Sequence, residues 1–245
     1  MSKTFLRPDY RSRMRELIQG FIEHCEFSES LEGRIERFVY SQGRKYGFPT
    51  FTIYGPPQPG QGSRFLNLIG VNDGEDKTAA ETLLQLIERL AMQPHIAAGH
   101  VLRILPVSDP LALEQGQSLP SPEVVRGLRG HVDAFRNEPS DGLIELRLTN
   151  DDVLHLSAQG PTAILQAVSS GEDALRRLQS EEFPDAVAVR HGRTEGRGPW
   201  ILTVDIPRRW PASLAVHWTS QFLVVFFRAL VTEERRVALE SIQTR

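Results

Sequence analysis

The feature that most constrains this chain is Phe65-Leu66-Asn67-Leu68-Ile69-Gly70-Val71, an apolar run that stops abruptly at Asn72-Asp73-Gly74-Glu75-Asp76. Large apolar residues at both parities over seven positions describe a strand covered on both faces, the signature of a central strand in a layered α/β sheet. Thr78-Ala79-Ala80-Glu81 follows in the Ser/Thr-x-x-Glu form of a capping box. Leu83, Leu84, Leu86, Ile87 and Leu90 then recur at helical spacing. A strand, a polar turn and a helix start place a candidate site at Asn72 to Asp76, because ligands of open α/β sheets collect beyond the carboxyl ends of the strands.

The remaining pattern extends this unit. Asp9 to Glu26 carries Met14, Leu17, Ile18, Phe21 and Ile22 at three- and four-residue steps and predicts an amphipathic helix. Leu31 to Tyr46, with Ile35, Phe38 and Val39, predicts a short second helix or turn, so residues 1–46 read as a helical extension of one domain spanning 1–245. Phe48 to Tyr54 reads as a strand ending at Gly55-Pro56-Pro57, and its closeness in sequence to the 64–71 strand predicts a hairpin. Strands are predicted at His100–Val107, Leu143–Leu148, Ala186–Val189 and Trp200–Pro207, and helices at Thr78–Met92, Glu123–Phe135, Thr162–Leu178 and Ser213–Glu240. His191 to Pro199 reads as a glycine-rich charged loop. The alternation of helix and strand predicts a three-layer α/β/α fold with a mixed, mostly parallel central sheet.

Composition narrows the function classes. A formal net charge of -3 over 245 residues, 24% of them charged, supplies no field for nucleic acid or an anionic membrane. Phe222 to Phe227 is apolar but interrupted by Arg228 and far shorter than the ~20 residues of a membrane span. With one cysteine, Cys25, no internal disulfide can form, which fits a reducing, cytoplasmic setting; His24 beside it points to another helix face and is no base for it. Asp73, Glu75 and Asp76 are oxygen donors that could hold magnesium, although acids before a helix also complement its dipole. None of the seven histidines has His-x-x-Glu or His-x₃-His spacing, and no Gly-x-Ser-x-Gly elbow, P-loop or dinucleotide fingerprint occurs.

Three stretches together resemble the zinc carboxypeptidase superfamily, in particular its succinylglutamate desuccinylase/aspartoacylase-like branch. They are Ile69-Gly70-Val71 entering a polar turn, Leu105-Pro106-Val107-Ser108-Asp109-Pro110, and Leu202-Thr203-Val204-Asp205-Ile206-Pro207. That family ends its first strand in Gly-x-His-Gly-x-Glu, its second in Pro-x-x-Asn-Pro and a middle strand in Asp-x-His, and carries a catalytic glutamate in a Thr-x-Glu-x-Pro context. The resemblance covers roughly Phe48 to Leu230. It implies a zinc with three protein ligands and an open position for water, and cleavage of a peptide or N-acyl amino acid amide bond.

This chain departs from the pattern at the ligands. The resemblance puts Asn72 at the first histidine, Glu75 at the metal glutamate, Arg147 at the third ligand and Asp205 at the catalytic glutamate. An amide oxygen is a poor substitute for an imidazole nitrogen, and a guanidinium is a permanent cation. The family's Asp-Leu-Asn-Arg segment is absent, and His155 is the nearest histidine to the third position. The expected protein is therefore a carboxypeptidase-like pseudoenzyme with no zinc, binding a small molecule or peptide, its Arg147 paired with Glu75 or Asp205. The alternatives are an active zinc hydrolase of this branch and a metal-free enzyme using Asp205, His155 and Glu75 as acids and bases.

Overall fold

The computed structural model describes residues 12–41, 44–58, 62–72, 74, 76–115, 122–178, 187–193 and 199–243. The first helix, α1 (Ser12–Phe27), precedes a pair of strands, β1 (Leu31–Ser41) and β2 (Arg44–Tyr54). Then come β3 (Arg64–Gly70), α2 (Thr78–Met92), β4 (His100–Leu105), α3 (Pro110–Gln115), α4 (Pro122–Arg136) and β5 (Gly142–Thr149). The chain continues as β6 (Leu154–Gly160), α5 (Thr162–Leu178), β7 (Val187–Arg193), β8 (Trp200–Pro207) and α6 (Ala212–Gln243). The strands form one sheet in the order β1-β2-β4-β3-β5-β8-β6-β7.

The inner four strands, β4, β3, β5 and β8, are mutually parallel, so their carboxyl ends form one ledge. Strand β6 runs antiparallel to β8, which brings its first residues to the same ledge. Side chains alternate across the sheet. Leu66, Leu68, Leu102, Ile104, Ile144, Leu146, Leu202 and Val204 meet α2, α5 and α6 in the main core, which Phe21 and Cys25 of α1 join. On the other face Ile69, Leu105 and Leu143 meet Leu128, Val132 and Phe135 of α4. Helices on both faces of a mostly parallel sheet make the α/β sandwich that the sequence predicts.

Four local expectations are corrected. The segment from Leu31 is a strand, because Leu31 to Ser41 pairs along its length with Arg44 to Ile53. Strands β2 and β3 do not form a hairpin. Strand β4 lies between them, antiparallel to β2 and parallel to β3. The connection crosses the amino end of β4, where Gly55 N–H donates to His100 O at 2.9 Å and Gly99 N–H to Pro56 O at 2.7 Å. The capping box at Thr78 does not form: Thr78 N–H is capped by Asp76 Oδ1 at 2.8 Å, and Thr78 lies inside the helix. Strand β6 is one that the sequence reading passed over, and His191 to Arg193 belong to β7 rather than to a loop. Glu195 and Arg197, read as part of that loop, lie outside the described residues.

Helix α6 explains the apolar run near the carboxyl terminus. Ala212–Val237 is long and apolar enough to cross a membrane by composition, yet 61% of its most apolar window is buried inside the protein. Phe222, Phe226 and Phe227 are fully buried, with Phe226 edge-on to Trp200 at 5.7 Å between centroids. Gly171 of α5 lets α6 approach, since a Cβ there would lie 2.6 Å from the Phe222 ring. Alanine normally favours a helix over glycine by about 1 kcal/mol. At this position overpacking of a fixed ring, which costs about 1–3 kcal/mol, opposes that gain. Gly171→Ala is therefore expected to lower the Tm by a few degrees in a thermal melt, and a Tm above that of the parent would show that α5 and α6 pack less closely.

Candidate functional site

The ledge is built from the ends of the parallel strands. Strand β3 leaves the sheet at Gly70, whose carbonyl accepts Ser108 N–H at 3.1 Å, while Val71 N–H donates to Leu146 O at 2.8 Å. A Cβ on Gly70 would stand 2.4 Å from Pro106 O, so only glycine permits this approach of the β3 and β4 ends. Asn72 follows, 8% exposed. Its Oδ1 accepts Asp109 N–H at 2.8 Å and Ser108 O–H at 3.1 Å. Its Nδ2 donates to Asp109 O at 2.9 Å and to Gly74 O at 3.4 Å. Asp109 in turn caps α3, accepting Ala112 N–H at 2.8 Å on Oδ1, and burial pushes its carboxyl above the usual aspartate range despite backbone donors that pull it down. Beside these residues lies a cleft of about 430 Å³ between the β3 and β4 ends and α4, with Arg129, Asp133 and Arg136 on the helical side.

Along the ledge the register assembles a second group. Arg147 of β5 stands opposite Asp205 of β8, and Asp205 opposite His155 of β6. Two residues deeper, Glu145, Thr203 and Ser157 are partners in the same way. Directly opposed residues share a face, so these six polar side chains form two rows across three strands. Their face is the one that α4 covers over β2, β4, β3 and β5, and Ile201 of β8 in the next row is 42% exposed.

Electrostatics in this group centre on a residue that the sequence reading did not single out. Glu145 is 3% exposed and holds two guanidinium groups: Arg136 of α4, with Nε 2.5 Å from Oε1, and Arg147, whose Nη2 donates to Oε2. Its signal was present in Leu143-Ile144-Glu145-Leu146-Arg147-Leu148, where an acid two residues from an arginine shares that arginine's side of a strand. His155 Nε2 lies 3.1 Å from Asp151 Oδ2. Asp205 has its carboxyl raised above the usual range, chiefly by burial. The positive charge of Arg147 and the neighbouring His155 pull it back, while Asp151 and Glu145 push it further up.

The expected site residues are thus distributed as follows. Arg147, Asp205 and His155 are neighbours, with Arg147 bonded to Glu145. Asn72 stands at the neighbouring strand end, locked to the β4 loop. Glu75 and Asp73 lie outside the described residues, and Asp76 caps α2. Among the described residues no three His, Cys, Asp or Glu side chains gather as a metal requires. Asn72, which the resemblance puts at the first histidine, offers an amide rather than an imidazole nitrogen. An amide oxygen has two acceptor positions, and both on Asn72 are filled. Arg147, which the resemblance puts at the third ligand, carries a guanidinium, which cannot lose its proton in a protein.

No protein-family profile matches the chain, and no curated protein matches it in sequence. Solved structures do. A metallo-carboxypeptidase from Burkholderia cenocepacia aligns with a TM-score of 0.65 at 12% identity, over 91% of this chain and 70% of that one. A Shewanella denitrificans protein named as a candidate metallopeptidase gives 0.60 at 13%, over 91% and 97%. A Pseudomonas aeruginosa metallo-carboxypeptidase, solved with (2-guanidinoethylmercapto)succinic acid, gives 0.59 at 14%, over 91% and 70%. The chain has the metallo-carboxypeptidase fold.

The raised carboxyl of Asp205 carries a pH dependence. An unfolded aspartate releases its proton near pH ~3.9, before the folded one does, so ionisation favours the unfolded chain. This contribution is most favourable to the fold below that pH, declines as pH rises through the folded midpoint, and leaves its full penalty above it. Asp205→Asn removes the penalty, and its Tm is expected to equal or exceed that of the parent at pH 7, the difference closing toward pH ~3. A Tm deficit at pH 7 that persists at pH ~3 would show that the carboxyl makes a net stabilising contact instead.

Proposed function

We propose that this chain is a binding or interaction domain built on the metallo-carboxypeptidase fold, a pseudoenzyme that does not carry out zinc-dependent hydrolysis. The observation that carries this reading is Arg147. It stands where the family resemblance puts a metal ligand, its guanidinium is bonded to the buried Glu145, and Asp205, at the catalytic glutamate position, is its cross-strand partner. A divalent ion at that place would meet a fixed positive charge within a few ångströms, a repulsion strengthened by the partly desolvated surroundings. Asn72 supports the reading, since its oxygen has no acceptor position left to offer a metal.

The cleft of about 430 Å³ beside Asn72, Ser108 and α4 is of the size that holds a small molecule or the end of a peptide. Its lining mixes Val71, Leu128 and Val132 with arginine and aspartate, a combination suited to a ligand with both apolar and charged parts. A single buried cysteine, Cys25, accords with a cytoplasmic setting.

Two other readings compete. An active zinc-dependent carboxypeptidase or amidohydrolase of the succinylglutamate desuccinylase/aspartoacylase type would need Glu75 together with ligands other than Asn72 and Arg147. A metal-free hydrolase is favoured by one observation, the placement of His155 opposite an Asp205 with a raised carboxyl.

Metal analysis and assay separate the three. The purified protein is expected to contain far less than one zinc per chain and to cleave neither peptides nor N-acyl amino acids when zinc is supplied. Stoichiometric zinc with chelator-sensitive hydrolysis would establish the zinc enzyme. Hydrolysis that survives chelation and is lost in His155→Ala and Asp205→Asn would establish the metal-free one.

A further inference from the structure

We infer that Asn72 is a latch, a positioning residue that holds the carboxyl ends of β3 and β4 together by hydrogen bonds at the place where the fold's relatives are expected to use a metal ligand. This inference rests on the reading that the protein holds no zinc there. It goes further in assigning the substituted residue a task of its own.

The geometry is specific to an amide. Asn72 has two acceptor positions on Oδ1 and two donors on Nδ2, and all four are used. Asp109 N–H and Ser108 O–H fill the oxygen at 2.8 and 3.1 Å, and the carbonyls of Asp109 and Gly74 take the two N–H groups at 2.9 and 3.4 Å. The orientation of the amide is fixed by its partners, because a backbone N–H can only donate and a carbonyl can only accept. Asn72 N–H adds a bond to Ser108 Oγ at 3.3 Å. One side chain therefore ties together the end of β3, the turn at Gly74, the end of β4 and, through Asp109, the capped start of α3.

Other side chains cannot do this. A histidine ring in its neutral form offers one donor and one acceptor, half of what the site uses. An aspartate keeps the acceptor and loses both donors, placing its second oxygen against two carbonyls. The position that would bring a metal ligand into the ledge has been given the residue that satisfies four backbone and hydroxyl groups at 8% exposure. Asn72, Ser108 and Asp109 also line the cleft, so the latch fixes one wall of the space proposed to take a ligand.

Thermal melts and amide hydrogen exchange on the full chain test this, with zinc and chelator as probes. Asn72→Ala is expected to lower the Tm by on the order of 5–10 °C, because the buried Ser108 hydroxyl and the partly buried Asp109 and Gly74 backbone groups lose their bonds together. Exchange at the Asp109 amide is expected to quicken at least ~10-fold, since that N–H loses its bond to the Asn72 amide oxygen. Asn72→Asp is expected to be equally impaired at pH 7 and partly restored near pH ~4, where a protonated carboxyl regains one donor. A general loss of packing would give no such recovery. In the parent, neither zinc nor chelator is expected to move the Tm.

An Asn72→Ala protein that melts with the parent and exchanges at the same rate would overturn the latch while leaving the metal-free reading intact. Zinc that raises the parent Tm, reversed by chelator, would overturn both. Should Asn72→Ala not fold, Asn72→Asp compared at the two pH values decides the question, and an absence of recovery at the lower one counts against the latch.

Discussion

The close approach of the β3 and β4 ends governs the architecture around the candidate site. Gly70 has no side chain to hold the Pro106 carbonyl away, so the two strands leave the sheet almost in contact, and every polar group in the two departing loops must find its partner locally. The Ser108 and Asp109 amides, the Ser108 hydroxyl and the Asp109 carbonyl find theirs in Gly70 and Asn72. Helix α3 begins from that arrangement through Asp109, and Leu111 and Leu113 follow it into the core. The cleft against α4 is what remains open beside this closed junction.

Charge along the ledge is balanced within the protein. Glu145 is buried between a strand arginine and a helix arginine, and the pair from α4 links the sheet to the helix that walls the cleft. Buried carboxylates persist when hydrogen-bonded cations compensate them, and both of Glu145's oxygens are so engaged. Asp205 is different. Arg147 and His155 lie beside it, but the Arg147 guanidinium is bonded to Glu145 and the His155 ring faces Asp151. Burial therefore outweighs the attraction on Asp205, and its carboxyl rises rather than falls.

Much of the fold was legible because helices and covered strands carry strong periodic signals. Thr78–Met92 and Thr162–Leu178 match their predicted limits, and the apolar run at β3 does sit between two neighbours in the sheet interior. Strand β6 escaped because Leu154-His155-Leu156-Ser157-Ala158 alternates over a short stretch and exposes its polar side, so it lacks the continuous apolar character of β3. The β2–β3 hairpin was the simplest pairing by distance along the chain. Which strand lies beside which is a question about edges, and β4 offered one edge to each. Asn72, Arg147 and Asp205 could be named from the resemblance; Glu145 was marked in the sequence only by its spacing from Arg147, and its second cation, Arg136 of α4, appears only in the fold.

The sequence by itself determined the alternation of elements, the α/β class and the chemical types at the strand ends, because these depend on local periodicity and on which side chains can donate, accept or carry charge. Only the tertiary structure decided that β4 would separate β2 from β3, that Arg147 would bond to Glu145, and that the Asn72 amide would spend all its hydrogen-bonding capacity on Ser108, Asp109 and Gly74. The strand order and the bonds from Asn72 to Ser108 and Asp109 join residues tens of positions apart, Arg147 meets a Glu145 that Arg136 of α4 also holds, and all are set by the geometry of packed strands and the need to satisfy each buried polar group.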